Sequence, residues 1–191
     1  MKYLVVALLT LVTVPSWAYL TSDWDVSLGT SSLNYSYGDL SDSLDSATTV
    51  EVNYSINSSA MNSAFTVSFT EMMGSGGQQI PYTRISFGGR YYFLGLNGQK
   101  LILDSRADAR VWRPTPFAGI NLGMSNLSVE GFNATFMDYT LRGGVEIPLA
   151  SDTLLIGQVV FGGSLSSSGE VGEEVAYSNF TLLAGLRFTS F

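Results

Sequence analysis

From Ser22 to the C-terminus the chain repeats one pattern: short segments in which apolar and polar residues alternate with a period of two. That period marks strands with two unlike faces. Eight such strands are predicted: Ser22 to Tyr37, Thr48 to Asn57, Ala64 to Met72, Tyr82 to Phe93, Pro116 to Leu127, Ala134 to Ile147, Thr153 to Gly163, and Tyr177 to Phe191. In the first, Trp24, Val26, Leu28 and Thr30 share a face, then Leu33, Tyr35 and Tyr37 follow out of phase, so a bulge is expected near Ser31-Ser32. In the seventh both faces are apolar, and its facing is open.

Composition decides what these strands build. Only 13% of residues are charged, about half the usual share of a soluble domain. After residue 18 the single lysine is Lys100. Such a chain cannot cover a soluble surface, yet no later stretch is long and apolar enough for a spanning helix. A membrane protein without spanning helices must satisfy its backbone between strands, so a closed antiparallel up-and-down transmembrane β-barrel of about eight strands is expected. Residues 1–18 read as a secretory signal peptide: Lys2, an apolar run from Leu4 to Val14, then Pro15 and Ser16-Trp17-Ala18 before the cleavage point. The barrel is then 19–191.

An even strand count puts both ends on the periplasmic side. Outer loops are expected at 38–47, 74–81, 128–133 and 164–176, and inner turns at 58–63, 94–115 and 148–152. The 94–115 connection is unusually long, and is read as a periplasmic excursion in which Asn97-Gly98 offers a tight turn.

Alternation alone does not say which face meets lipid; a soluble barrel has the same period with the faces reversed. The polar face is Ser, Thr, Gly and Asn, with Asp25, Glu51, Arg84, Arg90, Asp138, Arg142, Glu146 and Arg187 as its charges. A sign-balanced, arginine-rich set suits a narrow lumen, because buried charges must pair and guanidinium forks pair carboxylates bidentately. The apolar face is therefore read as outward. Two aromatic girdles are expected: Trp24, Tyr54, Phe65, Phe93 and Phe188 at the inner end, and Tyr35, Tyr82, Phe136, Phe161 and Tyr177 at the outer.

The chain has no Cys and no His. Disulfides, thiol catalysis and cysteine zinc sites are excluded. Beyond residue 18, eight basic residues face sixteen acidic ones, so no basic patch suits nucleic acid. Gly74-Ser75-Gly76-Gly77 lacks the Lys-Ser/Thr of a phosphate loop. The outer loops hold Asp39, Asp42, Asp45, Glu130, Glu170, Glu173 and Glu174 without a base or a calcium-loop spacing, and are read as a solvated rim. No metal or cofactor site is expected.

The stretch Ala184-Gly185-Leu186-Arg187-Phe188, ending in Phe191, resembles the terminal strand of Gram-negative outer-membrane barrels. Arg142-Gly143-Gly144-Val145-Glu146-Ile147-Pro148-Leu149 resembles their penultimate hairpin, and Pro116-Phe117-Ala118-Gly119-Ile120-Asn121-Leu122-Gly123 a mid-chain strand. Together they resemble the small outer-membrane β-barrel domain family, of the outer membrane protein X and opacity porin kind. The resemblance implies a monomer in the outer membrane, in contact with its lipid and lipopolysaccharide, assembled through the C-terminal strand by the barrel assembly machinery. Phe191 departs from the pattern, out of phase with Phe188, so splayed or bulged final residues are expected. The barrel enzymes that this chain resembles in size or topology rely on a catalytic His, which it lacks. The expected role is non-enzymatic, structural or in surface interaction, with a plugged lumen. The alternatives are a narrow porin for small solutes and a secreted soluble barrel holding an apolar ligand.

Overall fold

The computed structural model describes residues 20–37, 40–58, 61–74, 82–97, 100–104, 107–110, 112–129, 132–169 and 175–190. Residues 1–18, where a signal peptide is expected, Phe191, residues 75–77 and the acids Asp39, Glu130, Glu170, Glu173 and Glu174 lie outside them. Among the described residues there are ten strands: β1 Leu20–Tyr37, β2 Leu40–Ser58, β3 Ser63–Met73, β4 Tyr82–Tyr92, β5 Lys100–Asp104, β6 Ala107–Arg110, β7 Thr115–Val129, β8 Phe132–Pro148, β9 Thr153–Gly169 and β10 Val175–Ser190. Eight of them close a barrel in the order β1-β10-β9-β8-β7-β4-β3-β2, every pair antiparallel. Closure leaves no unpaired edge, the condition for crossing hydrocarbon with strands.

The faces divide as the charge pattern predicts. Ile85 and Phe87 are 63% and 57% exposed, and Leu141 and Leu182 join them on the exterior. Arg90 and Glu146 are 1% exposed. A soluble barrel with an apolar ligand cavity needs the reverse arrangement. β9 also takes its place: Leu154, Ile156, Gln158 and Val160 point inward, and Leu155 and Phe161 outward.

The outer connections differ from expectation. Pairing of β1 with β2 continues to Tyr37 opposite Leu40, and β7 pairs with β8 to Val129 opposite Phe132. Much of 38–47 and 128–133 is therefore strand. β9 likewise runs on to Gly169, its last pairs being with β8. Ten residues cross a bilayer at the usual tilt, so strands of 15 to 19 residues project beyond it. The irregularity near Ser31 is present, but on the other strand. Ser31 faces Ala47 and Leu33 faces Leu44, so Asp45 and Ser46 together oppose Ser32, with Ser46 at φ 63°. β1 itself keeps its alternation; its apolar residues simply change sides.

At the inner end, β5 and β6 form a separate two-stranded ribbon between β4 and β7. Lys100 faces Arg110 and Asp104 faces Ala107; Gly98, and with it the expected Asn97-Gly98 turn, lies outside the described residues. Asn97 Oδ1 accepts the Arg113 backbone N–H at 3.0 Å, linking the two ends of the excursion. Within the described residues, β10 pairs with β1 as far as Ser22 opposite Ser190, without a register shift.

The exterior makes a measurable prediction. Phe87→Arg places a charge in the middle of the lipid-facing wall and should destabilise the barrel by about 2–4 kcal/mol, read by urea unfolding in lipid vesicles. A neutral effect would show that this wall does not face acyl chains.

Candidate functional site: the charged lumen

Eight strands leave a lumen just wide enough for side chains to fill. Asp25, Glu51, Arg84, Arg90, Asp138, Arg142, Glu146 and Arg187 all lie inside it and are buried. A ninth charge, Asp23, joins them at 4% exposure. Sequence reasoning passed over it, although Asp23 and Asp25 sit two apart on one strand and must share a face.

The charges assemble in layers along the axis. At the inner end Arg187 joins two strands' acids. Its Nε and Nη2 donate to Asp23 Oδ2 at 3.1 and 2.5 Å, and its Nη1 donates to Glu146 Oε1 and to the Tyr92 hydroxyl. Asn57 lies between, donating to Asp23 at 2.5 Å and accepting from Arg187 at 2.8 Å. The guanidinium also sits 5.7 Å from the Tyr92 ring centroid.

Next, Arg90 Nη1 donates to Asp25 Oδ2 at 3.0 Å, its guanidinium carbon 5.1 Å from the Phe117 centroid. Asn53 Nδ2 bridges Asp25 and Glu51, at 2.7 Å to each. In the middle layer Arg142 grips Glu51 with two prongs, 3.0 Å to Oε1 and 3.3 Å to Oε2. Gln158 and Thr70 donate to the same carboxylate at 3.0 and 3.2 Å. Arg84 completes the set toward the outer end, reaching Asp138 Oδ1 at 2.8 Å. Asp138 accepts in turn from the Tyr177 hydroxyl at 2.6 Å. Asn121, Ser68 and Ser86 connect the Arg84 layer to Asn53.

Glycine makes room for this. A Cβ on Gly119 would lie 3.0 Å from Arg142 Cγ and 3.3 Å from Arg90 Cγ. A Cβ on Gly123 would lie 3.0 Å from Arg84 Nη2. These are inward glycines of the β7 pattern; a side chain at either would also meet the backbone oxygen of the neighbouring strand, Gly89 O at 2.6 Å and Ile85 O at 2.7 Å.

Apolar side chains also line the lumen, beyond the charges at the outer end and beside them at the inner. Toward the outer end Leu33, Leu44, Ala47, Met72, Tyr82, Leu127, Ala134, Phe136 and Tyr177 form one buried cluster, with Tyr35 packed against it. Toward the inner end Ala64, Tyr92, Leu96, Phe117 and Ile156 form another. A void between Glu51, Thr70, Tyr82, Arg84 and Thr140 has a volume of ≈ 10 Å³, about the room of one water.

The outer girdle is thereby corrected. Of its five predicted members, Tyr82, Phe136 and Tyr177 point into the lumen, Tyr35 is half-buried against them, and Phe161 alone is strongly exposed, its ring tilted against Phe180 with centroids 5.0 Å apart. Their positions share parity with Arg84, Asp138 and Asn179, which is the signal that assigns them inward. At the inner end Trp24, Phe65, Phe93 and Phe188 are exposed, and Tyr54 packs 4.8 Å from Trp24.

No protein-family model matches the chain, and no curated protein matches it in sequence. Solved structures share its fold. Neisserial surface protein A aligns over 90% of this chain and 97% of its own, with a TM-score of 0.53 and 13% identity. The outer membrane protease OmpT from Escherichia coli aligns over 89% of this chain and 97% of its own, with a TM-score of 0.52 and 9% identity.

Replacing Arg142 by Ala removes both prongs on Glu51 and strands a buried carboxylate. The expected cost is about 3–5 kcal/mol, seen as a lower unfolding temperature in detergent. The double variant Glu51→Gln/Arg142→Met should recover part of it. An unchanged temperature in Arg142→Ala would mean that the pair does not brace the barrel.

Proposed function

We propose that this chain, which has the fold of outer-membrane β-barrels, is an integral outer-membrane protein without enzymatic activity. It acts as a structural element or through its projecting outer hairpins in surface interaction. Its lumen is a plug, not a path. The observation that carries this reading is the filling of the interior: five acids and four arginines paired across it, with an apolar cluster toward each end. A conducting pore needs a continuous hydrated channel, and residues such as Tyr82, Phe136, Tyr92 and Phe117 occupy the cross-section where it would run.

The non-enzymatic reading is supported by the absence of histidine from the whole chain. A serine or an aspartate activated through imidazole cannot form here. OmpT is a protease, but likeness at 9% identity carries the barrel and not its chemistry. The partners of this reading are outer-membrane lipid and lipopolysaccharide around the wall, and the barrel assembly machinery at the C-terminal strand. A closed barrel has no strand edge to offer a second copy, which favours a monomer.

Two measurements test it. Protein refolded in detergent should migrate differently on a gel before and after boiling, because the closed barrel survives detergent until heated. The same protein in planar bilayers should give no conductance steps at any voltage tried. Reproducible steps would establish the narrow-channel alternative, and recovery of the protein from culture medium in place of the membrane pellet would remove the membrane reading altogether.

A further inference from the structure

The pairing register lets one inward position per strand be followed around the wall. Asp23 on β1 faces Ser55, Ser55 faces Thr66, Thr66 faces Gly88 and Gly88 faces Asn121. Asn121 then faces Thr140, Thr140 faces Gly162, Gly162 faces Asn179, and Asn179 faces Leu33, back on β1. The row returns to β1 at Leu33 and not at Asp23, so it climbs the bore as a spiral. Between its two ends it holds no charge and no large apolar side chain. Five of its members carry a buried polar atom without a hydrogen-bond partner among the described residues: the Ser55, Thr66 and Thr140 hydroxyls and the Asn121 and Asn179 side-chain oxygens. The other two are glycines. A Cβ on Gly88 would meet Asn121 Oδ1, and one on Gly162 would meet Asn179 Oδ1.

Two of the five meet at a void. Thr140 and Asn179, 2% and 8% exposed, both line the space of ≈ 10 Å³ beside Glu51 and Arg84. Arg84 brings a third group. Its Nε donates to Asp138 Oδ1 and its Nη1 to Ser86. Its Nη2 lies 2.8 Å from the same Asp138 oxygen but makes no hydrogen bond among the described residues. The other hydroxyls on the wall of the void are engaged elsewhere: Thr70 donates to Glu51, Tyr82 pairs with Tyr177, and Thr181 with Ser31. Met72, Val160 and Leu183 complete the lining with carbon. The void therefore offers one donor, one acceptor and one hydroxyl able to act as either. Buried polar groups of this kind find a partner in protein or in ordered water. Room for about one probe sphere and two to four polar partners are what a buried water requires. An anion there would meet the Glu51 carboxylate and a cation the Arg84 guanidinium, so a neutral molecule suits the site.

We propose that this void is the binding site of a single structural water, which accepts from Arg84 Nη2 and donates to Asn179 Oδ1 and Thr140 Oγ1. The water joins β4, β8 and β10. It spans Gly162, the β9 position that has no side chain with which to link Thr140 to Asn179. The volume admits one molecule, so the water is enclosed and belongs to no file through the bore. This inference rests on the plugged-lumen reading and adds to it a ligand and the residues that hold it.

The test uses the full chain refolded in detergent, with gel mobility before and after boiling as the check that each variant has folded. A crystal structure of the unaltered protein should show one ordered water within hydrogen-bond distance of Thr140, Asn179 and Arg84. Thr140→Ser keeps the hydroxyl and should keep the water. Thr140→Val/Asn179→Leu removes two of the three partners and should lose it. Oxygen-17 relaxation dispersion of the solvent reads the same change in solution: the amplitude from long-lived internal water should fall by one molecule in the double variant and hold in Thr140→Ser. If the double variant does not fold, Thr140→Val alone takes its place, with the same loss expected. No ordered water at the three groups in the unaltered crystal, or an undiminished amplitude in the folded valine variant, would overturn the water site alone. A file of ordered waters running from the void to either mouth would overturn the plug on which it rests.

Discussion

A polypeptide in hydrocarbon must hydrogen-bond every backbone amide to itself, and this structure follows from that demand. Helices meet it locally; strands meet it only by closing on one another. Here β1 pairs with β10 along sixteen consecutive residue pairs, Ser22 to Tyr37 against Ser190 to Val175, and the circle is complete. Closure with eight strands then fixes a second condition. The bore of such a barrel is of side-chain dimensions, so the residues that point inward share a confined volume in which polar groups need partners.

In the lumen the charges pair in layers, with one apolar cluster toward the outer end and another beside the Arg90 and Arg187 layers. Taking an ion out of water costs several kcal/mol, and pairing offsets this only where geometry is good and spare lone pairs are satisfied. Glu51 illustrates the requirement. It accepts from both prongs of Arg142, and from Asn53, Gln158 and Thr70, which come from other positions on β2, β3 and β9. Arg187 does the reverse, donating to groups on β1, β2, β4 and β8. Such side chains link, across the bore, strands that are not neighbours in the wall. The serine and threonine ladder has the same effect at smaller scale, as Ser31 joins Thr49 at 2.5 Å and Thr181 at 2.7 Å across the β2-β1-β10 seam.

Most of the wall was legible in the sequence because a period of two survives any tertiary context: the eight barrel strands begin and end within a few residues of their expected limits at the membrane-spanning core. Their outer extensions were not, since polar, glycine- and serine-rich segments such as 164–169 look like loop until a partner strand is present to pair them. The outer aromatics were misassigned for a different reason. Residue type suggested an interfacial belt, whereas parity with Arg84 and Asp138 already placed Tyr82 and Phe136 inside. Parity is geometry and holds; aromatic preference for interfaces is a tendency.

By itself the sequence determined the membrane-barrel class, the identity of the two faces and eight of the nine interior charges, because each depends on alternation within one strand. Which arginine meets which acid was decided only in three dimensions. Arg187 reaches Asp23 and Glu146, and Arg142 reaches Glu51. Those meetings depend on the stagger of strands around a closed cylinder, a quantity that belongs to the whole ring of hydrogen bonds and to no single segment.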